Sequence, residues 1–439
     1  MSFSFFKVSR PKTPQEVVKA MKDSLVALDT KTVVEVKALE KALEEVEKNF
    51  VSLRCMLCGD GEVEPNTDQV SQLALEVCKE DVLALMIHKL PNLEWEARKD
   101  LVLCWSILLK QMVDSRYCSV QYIENHFELL DFLVVWSLVY CDYLFIVWAS
   151  NLFVAFLSAA LLMNLMLKKE TGYDNKEIAL NCGLILRECI KFPTLAKYIL
   201  ESASFELFFK FVELPNFDVA SDAFSTFKDL LTKHGTVVAE YLTAHYDEFF
   251  DQYEKLLTSS NYVTRRQSLK LLSEFLLEPP SSHIMKRYIQ EVRYLKVMMT
   301  LLKSEETICF YLAMLLYQPK SNLASKNPLN GRKALKHMIY SPITRGNKRP
   351  LQYQGFDVLT TDSSKNIQIS AFHIFKVFVA NPNKPREVKV ILAKNHEKLL
   401  ELLHNLSAGK GAEDEQFEEE KELIIKEIDR LSRLSNLDR

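Results

Sequence analysis

FDVASDAFSTFKDLLTKH, residues 217–234, and NYVTRRQSLKLLSEFLL, residues 261–277, share one signature. A small residue is followed at once by a large one, and three positions later by another: Ala223-Phe224 with Phe227, and Ser268-Leu269 with Leu272. WEARKDLVLCWSILLKQ repeats it with Cys104-Trp105 and Leu108, and NIQISAFHIFKVFVANPNK with Ala371-Phe372 and Phe375. EIALNCGLILREC carries an imperfect copy, Gly183-Leu184, with Arg187 in the third place. A small residue lets one helix approach another closely, and its large neighbours fill the groove. The signature therefore predicts packed helices recurring along the chain.

The interval between the small residues decides the architecture. Gly183 to Ala223 is 40 residues and Ala223 to Ser268 is 45, the period of armadillo or HEAT units of two or three helices. The outer intervals, 79 and 103 residues, are too long, and each holds a segment unlike the rest. Residues 136–171 include YLFIVWASNLFVAFLSAALLMNLML, residues 143–167, which has no formal charge. Residues 304–361 are rich in Asn and Pro and carry eight Lys/Arg against three acidic residues. With these bounds, which the family resemblance given below helps to place, removing both segments leaves outer intervals of 43 and 45 residues. The sequence thus predicts an all-α, armadillo/HEAT-like right-handed solenoid, one domain over residues 1–439, interrupted by a hydrophobic and a basic insertion.

Twenty-five uncharged residues form about 38 Å of helix, enough to cross a bilayer. One crossing, however, would put successive repeats on opposite sides of a membrane, and repeats that bury their faces on each other cannot be so divided. A stretch translated from retained non-coding sequence, or an insertion packed as a hydrophobic hairpin, is expected rather than a span. The second segment lacks the helical or aromatic pattern of a nucleic-acid site.

Composition agrees with a helical chain. The 439 residues are 48% hydrophobic and 26% charged, with 10 glycines and a net charge of −3. Neither a nucleotide-binding α/β sheet nor a generally nucleic-acid-seeking surface is indicated. Nine scattered cysteines suit a reducing compartment, and Cys55 and Cys58 have no second pair at zinc spacing. MSFSFFKVSRPK lacks the apolar core of a signal peptide, so a cytoplasmic location is expected. No phosphate-binding loop, kinase motif set, zinc-protease motif or serine-hydrolase elbow is present, and neither an enzyme nor a cofactor or metal is indicated.

Candidate interaction residues follow from helical spacing. Tyr262, Arg266 and Lys270 lie at i, i+4 and i+8 along one helix face, opposite Leu269, Leu272, Phe275 and Leu276. From spacing alone this stripe is either a docking ladder or a solvated face with Tyr262 filling a gap. Phe217 stands at the entrance of its helix, which Asp218 or Ser221 is expected to cap. Met298 and Met299 suit either a core or a peptide groove. EDEQFEEEKE followed by LIIKEIDRLSRL predicts a terminal helix over residues 413–439 that caps the last repeat.

IALNCGLILREC, FDVASDAFSTFKDLLTKH, NYVTRRQSLKLL and AFHIFKVFVANPNK together closely resemble the calcium-binding protein 39 family of kinase scaffolds. The resemblance runs from FFK and TPQEVVK to EDEQFEEEK and covers nearly all of the chain outside the two segments. It implies a horseshoe-shaped, non-catalytic armadillo-like protein that binds STE-type or germinal-centre-class serine/threonine kinases or pseudokinases. A concave face would hold the kinase domain in its active arrangement, and a pocket near the C-terminal end would take a Trp-Glu-Phe peptide. By resemblance Phe217, Tyr262, Arg266 and Lys270 fall on the concave face and Met299 in the pocket. Ser282 stands where animal relatives have an aromatic residue. Two other readings use the same fold: a helical-repeat adaptor without kinase activation, and a membrane-tethered adaptor anchored by residues 143–167.

Overall fold

Helix begins where a side chain can satisfy the first free N–H groups. In the computed structural model, which describes residues 12–30, 36–59, 64–139, 172–303, 356–406 and 412–437, several helices open on such caps. Helix α1 (Pro14–Thr30) opens on a reciprocal box: the Thr13 N–H donates to Glu16 Oε2 at 2.9 Å and the Glu16 N–H to Thr13 Oγ1 at 3.3 Å. Pro14 occupies the first helical position, where no N–H is needed. Asparagines cap three others. Asn66 accepts from the N–H groups of Asp68 and Gln69 before α3 (Thr67–Lys79).

Two units are formed, Met1–Leu256 with Glu274–Ile284, and Leu257–Ser273 with Met285–Arg439. In the first, α2 (Val36–Cys58), α4 (Val82–Lys89), α5 (Trp95–Leu109), α6 (Cys118–Glu124), α7 (Glu128–Val139) and α8 (Gly172–Cys189) follow in order. They are followed by α9 (Pro193–Glu201), α10 (Phe208–Phe211), α11 (Phe217–Thr232), α12 (Gly235–Ala244) and α13 (Tyr246–Leu257). A small hairpin, β1 (Met112–Val113) and β2 (Arg116–Tyr117), separates α5 from α6.

Neighbours in space are three apart in sequence. One row runs α2, α5, α8, α11; a second α3, α6, α9, α12; a third α1, α4, α7 and the 3-10 turn Ala203–Leu207. Three rows of stacked helices are the three-helix armadillo/HEAT arrangement. Each helix buries its apolar face between row neighbours, which is why the pattern recurs at the repeat length.

The second unit contains most of α14 (Tyr262–Leu276), the end of α15 (Ser282–Tyr288), and then α16 (Val292–Leu301), α17 (Phe356–Ala380), α18 (Arg386–Lys394), α19 (His396–Asn405) and α20 (Ala412–Leu437). Helix α20 packs on α17, α18 and α19, with Ile424, Ile428 and Leu431 buried. Lys384, whose side chain is 3% exposed, joins it through Glu427 Oε1 at 2.8 Å.

The signature residues sit on the row α5, α8, α11 and on α14 and α17, and all five small ones are buried. One detail differs from expectation. Trp105, Leu269 and Phe372 are buried, but Leu184 is exposed and Phe224 only half-buried. The position four after the small residue shares its face; the position directly after it lies 100° round the helix and turns inward in some repeats only. Helix α7 continues to Val139 and α17 begins at Phe356, so helix enters both segments expected as insertions; residues 140–171 and 304–355 lie outside the described residues. Among the described residues no helix is long and apolar enough to cross a membrane. The stretch 143–167 is not among them.

Candidate interaction surface

Repeat packing first sets which charges are used up. In the row α2, α5, α8, α11 each step is tied by ion pairs. Arg54 reaches Asp100 at 3.0 Å, Arg98 reaches Glu177 at 3.5 Å and Lys110 reaches Glu188 at 3.6 Å. Arg187 Nη2 lies 2.7 Å from Asp222 Oδ1 and its Nη1 donates to Thr226 Oγ1 at 2.9 Å. Lys176 pairs with Asp218, and Lys228 with Glu274 at 2.7 Å. The imperfect signature of α8 thereby gains a reason. Arg187 is the partner that holds Asp222 above Gly183, where an added Cβ would come 1.8 Å from the carboxylate.

Helix α14 behaves differently. The Asn261 side chain accepts from the N–H of Val263 at 3.0 Å and starts the helix one residue before Tyr262. From there Tyr262, half-buried, and Arg266 and Lys270, both exposed, line one face, while Leu269, Leu272, Phe275 and Leu276 are buried on the other. Among the described residues neither Arg266 nor Lys270 has an ion-pair partner. The fourth step of the stripe, Glu274, is the one already tied to Lys228.

Phe217 lies in the first unit, at the first position of α11, and is 64% exposed. Its helix is capped by Asn216, whose Oδ1 accepts from the N–H of Asp218 at 3.1 Å and of Val219 at 3.3 Å. The cap expected at Asp218 or Ser221 is therefore corrected: helix starts at Phe217, and both of those residues already lie inside it. Asp218 instead pairs with Lys176. Met299 lies in the second unit, half-exposed on α16, beside the fully buried Met298. The helix α16 packs on α17, and the Gln368 side chain donates to the Leu302 carbonyl at 2.9 Å. Ser282 is exposed at the start of α15.

The structure thus brings Tyr262, Arg266 and Lys270 together on one helix and leaves Phe217 and Met299 on others. Sequence spacing could not reveal that the two cations are unmatched, because the pairing of their counterparts depends on neighbouring helices. A separate cleft of ≈ 270 Å³, floored by Phe209, Leu214 and Leu256 and edged by Lys210 and Lys255, contains none of these residues. Cys55 and Cys58 are exposed free thiols on α2. Among the described residues no group of three His, Cys, Asp or Glu side chains could hold a metal ion.

The Mo25-like family pattern matches residues 4–313 and 356–432, leaving 314–355 unmatched and running across 136–171. The chain is 36% identical over 417 residues to mouse "Calcium-binding protein 39-like", covering 95% of this chain and 94% of that one. It is 36% identical over 431 residues to the "Mo25-like protein" of Schizosaccharomyces pombe, covering 98% and 100%. It is 35% identical over 424 residues to "MO25-like protein 2" of Caenorhabditis elegans, covering 96% of each. None of these names is that of an enzyme. Nearly full-length matches at this identity, on a chain folded as stacked three-helix repeats, mean that the protein belongs to the Mo25-like family.

Proposed function

We propose that this chain is a non-catalytic cytoplasmic scaffold that binds a STE-type or germinal-centre-class protein kinase or pseudokinase and shifts it toward its active arrangement. The observation that carries this reading is the face of α14. Arg266 and Lys270 project without an ion-pair partner among the described residues, although the stacked helices before them tie up cation after cation. Two uncommitted cations beside a half-buried tyrosine suit an acidic, partly apolar partner surface. Phe217, a large apolar side chain left 64% exposed, is a second anchor for the same kinase domain. Met299, half-exposed on α16, is the proposed contact for a Trp-Glu-Phe-like peptide.

Activation by this route is a population shift: the scaffold must bind the active arrangement better than the inactive one. A tenfold shift requires a difference of about 1.4 kcal/mol. The test is a titration of a purified STE-type kinase with this chain, reading substrate phosphorylation. A saturable rise that disappears with R266E/K270E is expected. Binding without a rise would leave a plain adaptor, and absence of binding across the kinase class would overturn the proposal.

A further inference from the structure

Two cysteines 40 residues apart in sequence meet where the second row of helices forms. Cys78 sits near the end of α3 and Cys118 is the first residue of α6, and these helices pack together. The Cys78 thiol lies 3.8 Å from the Ser119 hydroxyl, and the Cys118 thiol donates to the Gln111 carbonyl at 3.9 Å. Ser119 directly follows Cys118, so the Cys78 thiol lies against the first turn of α6, the turn that carries Cys118. The hairpin β1–β2 fixes this placement. Its turn residues Asp114 and Ser115, at φ 50° and 63°, reverse the chain so that Cys118 returns beside Gln111.

The pair differs from the other described thiols. Cys104, Cys182 and Cys189 are buried, and Cys55 and Cys58 are exposed, whereas Cys78 and Cys118 are both partly exposed. Their environments also push them apart. The Cys78 thiol, the Ser119 hydroxyl and the nearby backbone N–H groups stabilise the Cys118 thiolate against burial, bringing its pKa down to about 6. The same contact and burial raise Cys78. A thiolate beside a protonated thiol is the arrangement in which one sulfur attacks and the other resolves.

We propose that Cys78 and Cys118 form a reversible oxidation site for hydroperoxides, closing to an intramolecular disulfide. The Cys118 thiolate attacks one oxygen of hydrogen peroxide. An S–O bond forms, the O–O bond breaks, and the departing hydroxide takes a proton to become water. The Cys78 sulfur, giving up its proton, then attacks the Cys118 sulfur. The S–S bond forms, the S–O bond breaks, and the second hydroxide leaves as water with that proton. Two sulfurs lose two electrons in all, and peroxide is reduced to two waters. The bond links the end of α3 to the start of α6 within the first unit.

The test treats the full chain with hydrogen peroxide, blocks remaining thiols with N-ethylmaleimide and maps the digest by mass spectrometry. A peptide pair joined through Cys78 and Cys118, lighter by two hydrogens and released by dithiothreitol, is expected. Cys118→Ser should abolish it, whereas Cys55→Ser and Cys58→Ser should leave it. Joining of Cys118 to another cysteine would overturn the proposal, as would conversion of Cys118 to sulfinic acid with Cys78 still alkylated. The wild-type map decides the question by itself should the serine variant fail to fold.

Discussion

The carboxylate of Asp222 on α11 occupies the space above Gly183 on α8, so that a Cβ at Gly183 would meet Asp222 Oδ2 at 1.8 Å. Asp222 is held there by Arg187, one turn along α8, at 2.7 Å. Glycine inside a helix costs about 1 kcal/mol relative to alanine, and here that cost admits an ion pair between repeats. Gly183→Ala should therefore lower stability by about 1 kcal/mol in spite of the better helix former, because the displaced carboxylate loses its partner. In Asp222→Ala the same change should be neutral or stabilising. Urea midpoints of the four proteins in this cycle measure the coupling.

Phe227 is fully buried amid rings of Phe205, Phe208, Phe209 and Tyr253, with centroids 5.2–6.4 Å away. Phe227→Ala leaves a cavity that these rigid rings cannot close. A loss of about 3–5 kcal/mol is expected, read as a fall in the thermal midpoint.

Asn216 and Phe217 adjoin but do different work. Asn216→Ala removes the acceptor for two N–H groups at the start of α11 and should cost about 1 kcal/mol. Phe217→Ala removes an exposed ring and should change stability by less than about 0.5 kcal/mol while weakening kinase binding. Melting curves and a binding isotherm on both variants separate the two roles.

Charge reversal at Arg266 and Lys270 breaks no ion pair among the described residues. Each single reversal should leave the melting temperature nearly unchanged and weaken kinase binding about tenfold, or roughly 1.4 kcal/mol. Equal affinity of wild-type and reversed proteins, measured by calorimetry, would sink the proposed docking face.

Glu427 accepts from Arg430 and from the buried Lys384, and these partners draw its carboxyl from an ordinary 4.5 down to about 2. A depressed acid stabilises the fold fully above its unfolded pKa, and the contribution drains away as pH falls from about 4.5 through 2. Glu427→Gln should cost about 1–3 kcal/mol at pH 7, since the Lys384 ammonium loses its counter-charge. The gap between wild type and variant should close toward pH 2, which urea unfolding at pH 7, 4 and 2 checks.

Much of this architecture was legible in the chain. The small-then-large signature marked five helices of the repeat, and the buried face of α14 followed from the spacing of Leu269, Leu272, Phe275 and Leu276. Local rules failed at finer scale. Asn216, Asp218 and Ser221 all have capping side chains, and only the backbone at Phe217 tells which residue precedes the helix. Leu184 read like Trp105 in sequence, yet one is exposed and the other buried, because burial at that position depends on how the next helix is turned.

The sequence by itself determined helix, repeat length and family, since these rest on periodicity and on residue patterns that adjoin in the chain. Tertiary structure alone decided which charges are paired, why Gly183 carries no side chain, and that Cys78 meets Cys118. Those outcomes depend on contacts between segments 35–79 residues apart, whose side chains share no local pattern and come together only when neighbouring repeats stack.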